Sequence, residues 1–324
     1  MRIRPLAALS AAALSALVLA GCSGSGDPDT TPSPSSSADS TCLLDAQSGA
    51  DSDAIEVTGS GTDLAATVPD SLAFEDIERT IVTEGSDDDL AAGELVSGFY
   101  SVYDGSTGEL LQDSSDSSPD DSGEVPILLD PQNYSLFVAA LECAPLGSTV
   151  AMSIPGSAFG EGASPVVIVA ETTELIPTIA GGEEQEPADG FPTVEFSEEG
   201  APTITIPDTE PPTEVQLDEL KTGDGPVVEP GDTVFVQYSG AKWSNGTVFD
   251  SSWERGQPAA FATTGVVEGF QQALEGQAVG SQVLVVIPPA FGYGEGEIND
   301  TDLKGETLVF VIDILGVQRA AAQQ

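Results

Sequence analysis

Residues 234–240 read VFVQYSG, 246–261 read GTVFDSSWERGQPAAF, and 266–276 read VVEGFQQALEG. The chain continues as GSQVLVVIPPAFGYGEG over 280–296 and TLVFVIDIL over 307–315. Val234, Val236 and Tyr238 alternate with Phe235 and Gln237, the period of a strand with one face turned inward. Residues 282–287 and 307–315 are apolar runs rich in Val and Ile, too short and too β-branched for helices. Residues 270–274, bounded by Gly269 and Gly276, form the one clear helical segment. Strands dominate and one short helix is left to cover a face, so the pattern predicts an α+β arrangement.

A fainter copy of this stretch lies upstream. Phe137-Val138-Ala139-Ala140-Leu141-Glu142-Cys143 matches Phe270-Gln271-Gln272-Ala273-Leu274-Glu275-Gly276, and Gly147-Ser148-Thr149-Val150 matches Gly280-Ser281-Gln282-Val283. The match runs on through Ile154-Pro155 against Ile287-Pro288, and Phe159-Gly160-Glu161-Gly162 against Tyr293-Gly294-Glu295-Gly296. Upstream, Tyr100 falls opposite Tyr238, and Gln112 opposite Asp250. Self-similarity at so long a period means a duplicated unit. Two copies of one fold are expected, over 42–178 and 209–319, with a short tail at 320–324. Between them, 179–208 is rich in Gly, Glu and Pro and reads as an extended, partly stiff linker, with 203–206 as a short strand.

In their order, the quoted pieces resemble the FKBP-type peptidyl-prolyl cis-trans isomerases, strongly over about a third of the chain and faintly over another third. The resemblance implies two domains, each an antiparallel sheet curled around a short helix. It implies an apolar pocket floored by Phe270 and walled by Tyr238, Phe249, Val266, Val267 and Phe310. Asp250 is then the carboxylate beside the pocket and Tyr293 the loop hydroxyl that hydrogen-bonds a ligand, while Val267 offers its backbone N–H. The implied partners are proline-containing polypeptide clients and macrolide inhibitors, with no cofactor and no metal. The alternative is a client-binding chaperone or scaffold on the same fold, without useful turnover. Three departures bear on substrate preference: Phe270 stands where the family usually has Trp, Ala259 lies where another aromatic is common, and the loop after Tyr293 lacks the usual Ile-Pro-Pro. In the first copy Gln112 replaces the carboxylate, Phe159 the tyrosine and Ile168 the wall phenylalanine, while Phe137 keeps the helix aromatic. That copy is expected to be degenerate, and inactive or weak.

Arg2 and Arg4 precede an apolar segment that ends in Leu19-Ala20-Gly21-Cys22. A short basic region, a short apolar core and small residues mark 1–21 as a secretory signal peptide rather than a membrane span. The last four residues resemble the bacterial lipobox, which implies cleavage before Cys22 and lipid attachment to its sulfur; the plainer alternative is an ordinary secreted protein. Residues 22–41 are Ser-, Pro- and Asp-rich and read as a disordered tether with a reach of roughly 25 Å. The expected place is therefore the outer face of the cell membrane, held only through Cys22. With Cys22 lipidated, Cys42 and Cys143 remain, and in an exported protein they are expected to pair.

The formal net charge is −46 and Lys plus Arg number 8, so no basic stripe exists for nucleic acid. There is no His, which leaves a serine triad without its usual base and makes zinc a poor fit. The acidic run 113–124 invites a calcium-loop reading, but Ser118 occupies the position that needs Gly. It reads instead as a solvated acidic loop.

Overall fold

The computed structural model describes residues 42–44, 46–132, 136–299 and 302–320. The stretches expected to be a signal peptide over 1–21, a lipid site at Cys22 and a tether up to residue 41 lie outside these residues.

The first half opens with α1 (Ala50–Ala54) and a hairpin of β1 (Glu56–Thr58) with β2 (Ala65–Thr67). Next come β3 (Glu78–Thr83), β4 (Leu95–Asp104), β5 (Leu110–Asp113), β6 (Val125–Leu128), α2 (Leu136–Leu141), β7 (Thr149–Ile154) and β8 (Val166–Leu175). Their antiparallel sheet runs β3-β7-β8-β4-β5, with β6 also paired to β4. The second half has β9 (Glu183–Glu184), the hairpin β10 (Thr193–Phe196) with β11 (Pro202–Thr205), then β12 (Gln216–Thr222), β13 (Thr233–Lys242) and β14 (Val248–Ser251). It finishes with α3 (Ser252–Arg255), β15 (Ala259–Ala262), α4 (Glu268–Leu274), β16 (Gln282–Ile287) and β17 (Leu308–Gln318). Its sheet runs β9-β12-β16-β17-β13-β14, with β15 also on β13. Apart from β9, which only the second sheet has, the two sheets share one topology strand for strand. The register agrees as well: Val102 faces Gln112 and Ile168, as Gly240 faces Asp250 and Phe310.

Alternation sorts each long strand onto two faces. In the second sheet Val283, Val285, Ile287, Phe310, Ile312 and Ile314 point inward onto Phe270, Ala273 and Leu274 of α4. Leu284, Val286, Val309 and Val311 point outward, where Ile204, Phe191, Val194 and Ile206 cover them. The first sheet repeats this, with α2 inside and Ile55, Leu64, Val57 and Ala66 outside over Ala151, Val167 and Val169. In each, a carboxylate at the same place in the last strand reaches a backbone N–H of the covering segment. Glu171 accepts from Gly61 at 2.7 Å and Asp313 from Ala180 at 2.9 Å.

Residues 179–208 are therefore not the extended linker that their composition suggested. Ala180 is buried, β9 extends the sheet through Lys221 and Thr222, and the β10–β11 hairpin forms the outer cover. The reason is positional. A few apolar residues spaced along a Gly-, Glu- and Pro-rich stretch suffice when a sheet face needs covering. The second folded unit accordingly begins upstream of residue 209. In the run 113–124 the carboxylates of Asp116, Asp120 and Asp121 are exposed, as a solvated acidic loop requires, while Ser114 and Ser117 turn inward.

Both sheets belong to one unit, 40–324. Leu95, Phe235 and Leu315 form a small core between them, flanked by Leu128 and Ile176. Gln318 donates to the carbonyl of Pro126 at 2.6 Å, the Arg319 backbone N–H donates to Ser117 at 2.8 Å, and Gln257 donates to Asp130 at 3.1 Å. A disulfide joins Cys42 to Cys143.

Candidate active site

Inside the second sheet, between α4 and the strand β14, lies a cavity of about 440 Å³. Tyr238, Phe249, Asp250, Val266, Val267, Phe270, Tyr293 and Phe310 all line it, so the structure brings together every pocket residue expected from the sequence. Two more complete it. Phe261 and Gly265 also line the walls.

The floor is positioned by α4. Val267 caps the helix, and its carbonyl accepts the Phe270 N–H at 2.9 Å and the Gln271 N–H at 3.0 Å. Gly269 lets the helix lie on the sheet, since a Cβ there would sit 2.4 Å from a methyl of Ile287. Phe270 is thereby held edge-on to Phe310 at 5.0 Å between ring centroids, to Phe261 at 5.8 Å and to Tyr238 at 6.1 Å. Such edge-to-face pairs add about 0.5–1.5 kcal/mol each beyond their buried area. Gly240 makes room for two of the walls: a Cβ on it would meet Phe310 at 2.6 Å and Phe249 at 2.8 Å.

The polar side of the cavity is a triad of Tyr238, Asp250 and Arg255. The Tyr238 hydroxyl donates to Asp250 Oδ2 at 2.5 Å and accepts from Arg255 Nη2 at 2.8 Å, while Arg255 Nη1 is ion-paired with Asp250 Oδ1. The guanidinium carbon also lies 5.4 Å from the Tyr238 ring centroid. Burial, then the hydrogen bond to Asp250, pushes the Tyr238 pKa up to about 12 against the opposing pull of Arg255. The hydroxyl is thus neutral at physiological pH. Tyr293 is half-exposed at the mouth, on the loop that turns after Pro288 and Pro289. Nothing in this arrangement is a nucleophile with an adjacent base. It can take up an apolar ring and surround it with aromatic edges, with the hydroxyls of Tyr238 and Tyr293 to one side.

Sequence reasoning missed Phe261 and Arg255. It read the wall near Ala259 as lacking a ring, but β15 turns the ring of Phe261 into that wall, and Phe261 packs against Tyr238 at 5.6 Å. Its ring points inward because Phe261 pairs with Val234, an inward residue, a register that the folded sheet sets. Arg255 sits five residues after Asp250, at the last turn of α3, where a chain reversal returns it to the carboxylate.

The corresponding place in the first sheet is built differently. Val102 stands where the second has Gly240, and Ile168 where it has Phe310. Phe137 lies 4.7 Å from Tyr100, closer than Phe270 lies to Tyr238. The Tyr100 hydroxyl is occupied by Gln112 at 3.0 Å and Ser117 at 3.1 Å.

A family model described as FKBP-type peptidyl-prolyl cis-trans isomerase matches residues 225–315. The FK506-binding protein of Streptomyces anulatus is 38% identical over 119 residues, covering 36% of this chain and 96% of that protein. A probable FK506-binding protein of Corynebacterium glutamicum is 37% identical over 114 residues, 35% of this chain and 96% of the relative. The FKBP-type 22 kDa peptidyl-prolyl cis-trans isomerase of Escherichia coli is 36% identical over 124 residues, 38% of this chain and 59% of the relative. With relatives matched over nearly their whole length by the part that builds the aromatic cavity, the chain belongs to the FKBP-type peptidyl-prolyl cis-trans isomerases.

Proposed function

We propose that the cavity of the second sheet takes the proline ring of an X–Pro segment and favours its twisted amide, accelerating the folding of exported proteins. Rotating the amide crosses a barrier of about 18–20 kcal/mol, and unaided it takes roughly 10–100 s. At the top of that barrier the amide has lost its resonance and much of its polarity, so an apolar site binds it better than water does. Each ~1.36 kcal/mol of that preference is worth about tenfold in rate. The observation that carries the reading is the convergence of Tyr238, Phe249, Phe261, Phe270 and Phe310 on one cavity with Asp250 and Tyr293 at its side. Macrolide binding at the same cavity is proposed with it.

The place of action rests on the sequence: the leader over 1–21 and the lipobox-like ending at Cys22 support an outer-face lipoprotein. The Cys42–Cys143 disulfide fits an oxidising compartment. Among the described residues no helix is long and apolar enough to cross a membrane. The first sheet we read as non-catalytic, holding clients or spacing the second from its anchor, because Gln112 stands where the second has Asp250 and Ile168 where it has Phe310.

The test is isomerisation of a proline tetrapeptide series by the chain without its leader. Tyr293→Phe combined with Asp250→Val is expected to lower kcat/KM by at least about tenfold. Undiminished turnover in a folded double variant removes the site from this cavity. Expression with the native leader tests the anchor, since Cys22→Ser should move activity from the membrane fraction to the soluble one.

A further inference from the structure

On the opposite, outer face of the second sheet a cavity of about 730 Å³ lies beneath the β10–β11 hairpin, larger than the pocket on the inner face. Its walls include Phe191, Val194 and Leu220, and its rim carries the exposed carboxylates of Glu184, Glu186 and Glu198. Gln282 belongs to its floor and is only 1% exposed. The Gln282 Nε2 donates to Asp313 Oδ1 at 2.9 Å, which fixes the amide's orientation and leaves Oε1 without a donor. The second oxygen of Asp313, beside it, has no donor either. A buried acceptor without a donor is a costly thing to keep. The one cation in the lining, Lys221, is turned to the Ala180 carbonyl at 2.9 Å.

Apolar walls, an acceptor in the floor and three carboxylates at the rim describe a receptor for a long apolar stem that ends in a cation with N–H donors. Anions are repelled, and a purely apolar group leaves the floor unsatisfied. The chain holds only 8 Lys and Arg in all. Arg79, Arg255 and Arg319 are bonded elsewhere, as Lys221 is. With a net charge of −46 the molecule draws basic partners from solution.

We propose that this outer cavity binds a Lys or Arg side chain of another polypeptide, drawn in by the rim glutamates, its methylene stem along Phe191, Val194 and Leu220 and its cationic head donating to Gln282 Oε1 in the floor. That the ligand is a polypeptide rests on the isomerase reading, while the preference for a cation on an apolar stem does not. The site makes the second domain two-sided: a proline pocket within the sheet, and a separate hold on basic residues behind it.

The experiment titrates the full chain without its leader with N-acetyl-lysine-methylamide, following backbone amide shifts, beside the neutral N-acetyl-norleucine-methylamide. Saturable shifts around Val194, Leu220 and Gln282 are expected with the lysine probe and none with norleucine. Glu184→Gln, Glu186→Gln and Glu198→Gln together, all on exposed side chains, should weaken the lysine probe by about tenfold. Tetrapeptide isomerisation by that triple variant should stay unchanged, so failure here is separable from failure of the isomerase reading. Equal shifts with norleucine, no saturable shift at these amides, or shifts confined to the inner pocket would overturn the proposal.

Discussion

Gly240 shows how much of the pocket depends on a single missing side chain. Its counterpart in the first sheet is Val102, and there the wall phenylalanine is reduced to Ile168. Putting a methyl on Gly240 drives it against the rings of Phe310 and Phe249. Overpacking of this kind costs about 1–3 kcal/mol and is relieved only by moving the rings that form the walls. Gly240→Ala should therefore leave the circular dichroism of the sheet intact while lowering kcat/KM by about tenfold or more. Unaltered kinetics would mean that the ring positions do not govern turnover. Asp313 sets a different property. Burial, opposed by the bonds from Ala180 and Gln282, raises its pKa from 3.8 to about 6. Between those values the native state binds the proton that the unfolded chain has lost, so this group's contribution falls as pH rises through the window. The ionised side chain costs up to about 3 kcal/mol above pH 6. Asp313→Asn should thus flatten the dependence of unfolding free energy on pH between about 4 and 6, measured by urea titration. A variant that tracks the parent across that window would show that the carboxyl does not titrate there.

At the level of elements, the β10–β11 hairpin carries the argument. Phe191, Val194, Ile204 and Ile206 cover Leu284, Val286, Val309 and Val311. Exposing this face loses on the order of 5 kcal/mol at about 25 cal/mol per Å². A chain beginning at residue 209 should consequently melt lower than one beginning at 177 and should bind a hydrophobic dye before it melts; equal melting temperatures would make the hairpin ornamental. The cover also explains which parts of the fold were legible. The strands of β13, β16 and β17 and the helix α4 stood out because alternation, β-branching and flanking Gly marked each locally. The apolar runs 282–287 and 307–315 held a further message that composition obscured. A strand apolar at every position needs both faces buried, so something had to lie behind the sheet. That something was read as a linker because its Gly, Glu and Pro outnumber its apolar residues. The same limit applied at the site. Eight lining residues could be placed by order along the chain, whereas Phe261 and Arg255 depended on register and on a chain reversal.

For the whole molecule, the question is whether two copies of one fold behave as one body. Their contact is small but specific: Leu95 against Phe235 and Leu315, with the end of β17 tied to the first sheet. Arg319 concentrates the polar part. Its guanidinium reaches the carbonyls of Val227 at 3.1 Å and Pro119 at 3.3 Å and is ion-paired with buried Asp232. Arg319→Ala leaves that carboxylate without its cation and frees the loop at Pro119. Removing one partner of a buried pair costs about 3–5 kcal/mol, less where the arginine is partly exposed as here. The first copy has its own clamp, because the Cys42–Cys143 disulfide closes a loop with a sequence separation of 101. A loop of that length is worth about 4.7 kcal/mol in the chain-entropy model. Calorimetry should accordingly give one transition for the parent and two for Arg319→Ala. Reducing the disulfide in that variant should lower only the transition of the first copy, with tetrapeptide isomerisation retained until the second. A single transition that moves as a whole on reduction would instead show the two sheets to be coupled through the Leu95, Phe235 and Leu315 core, with Arg319 incidental to it.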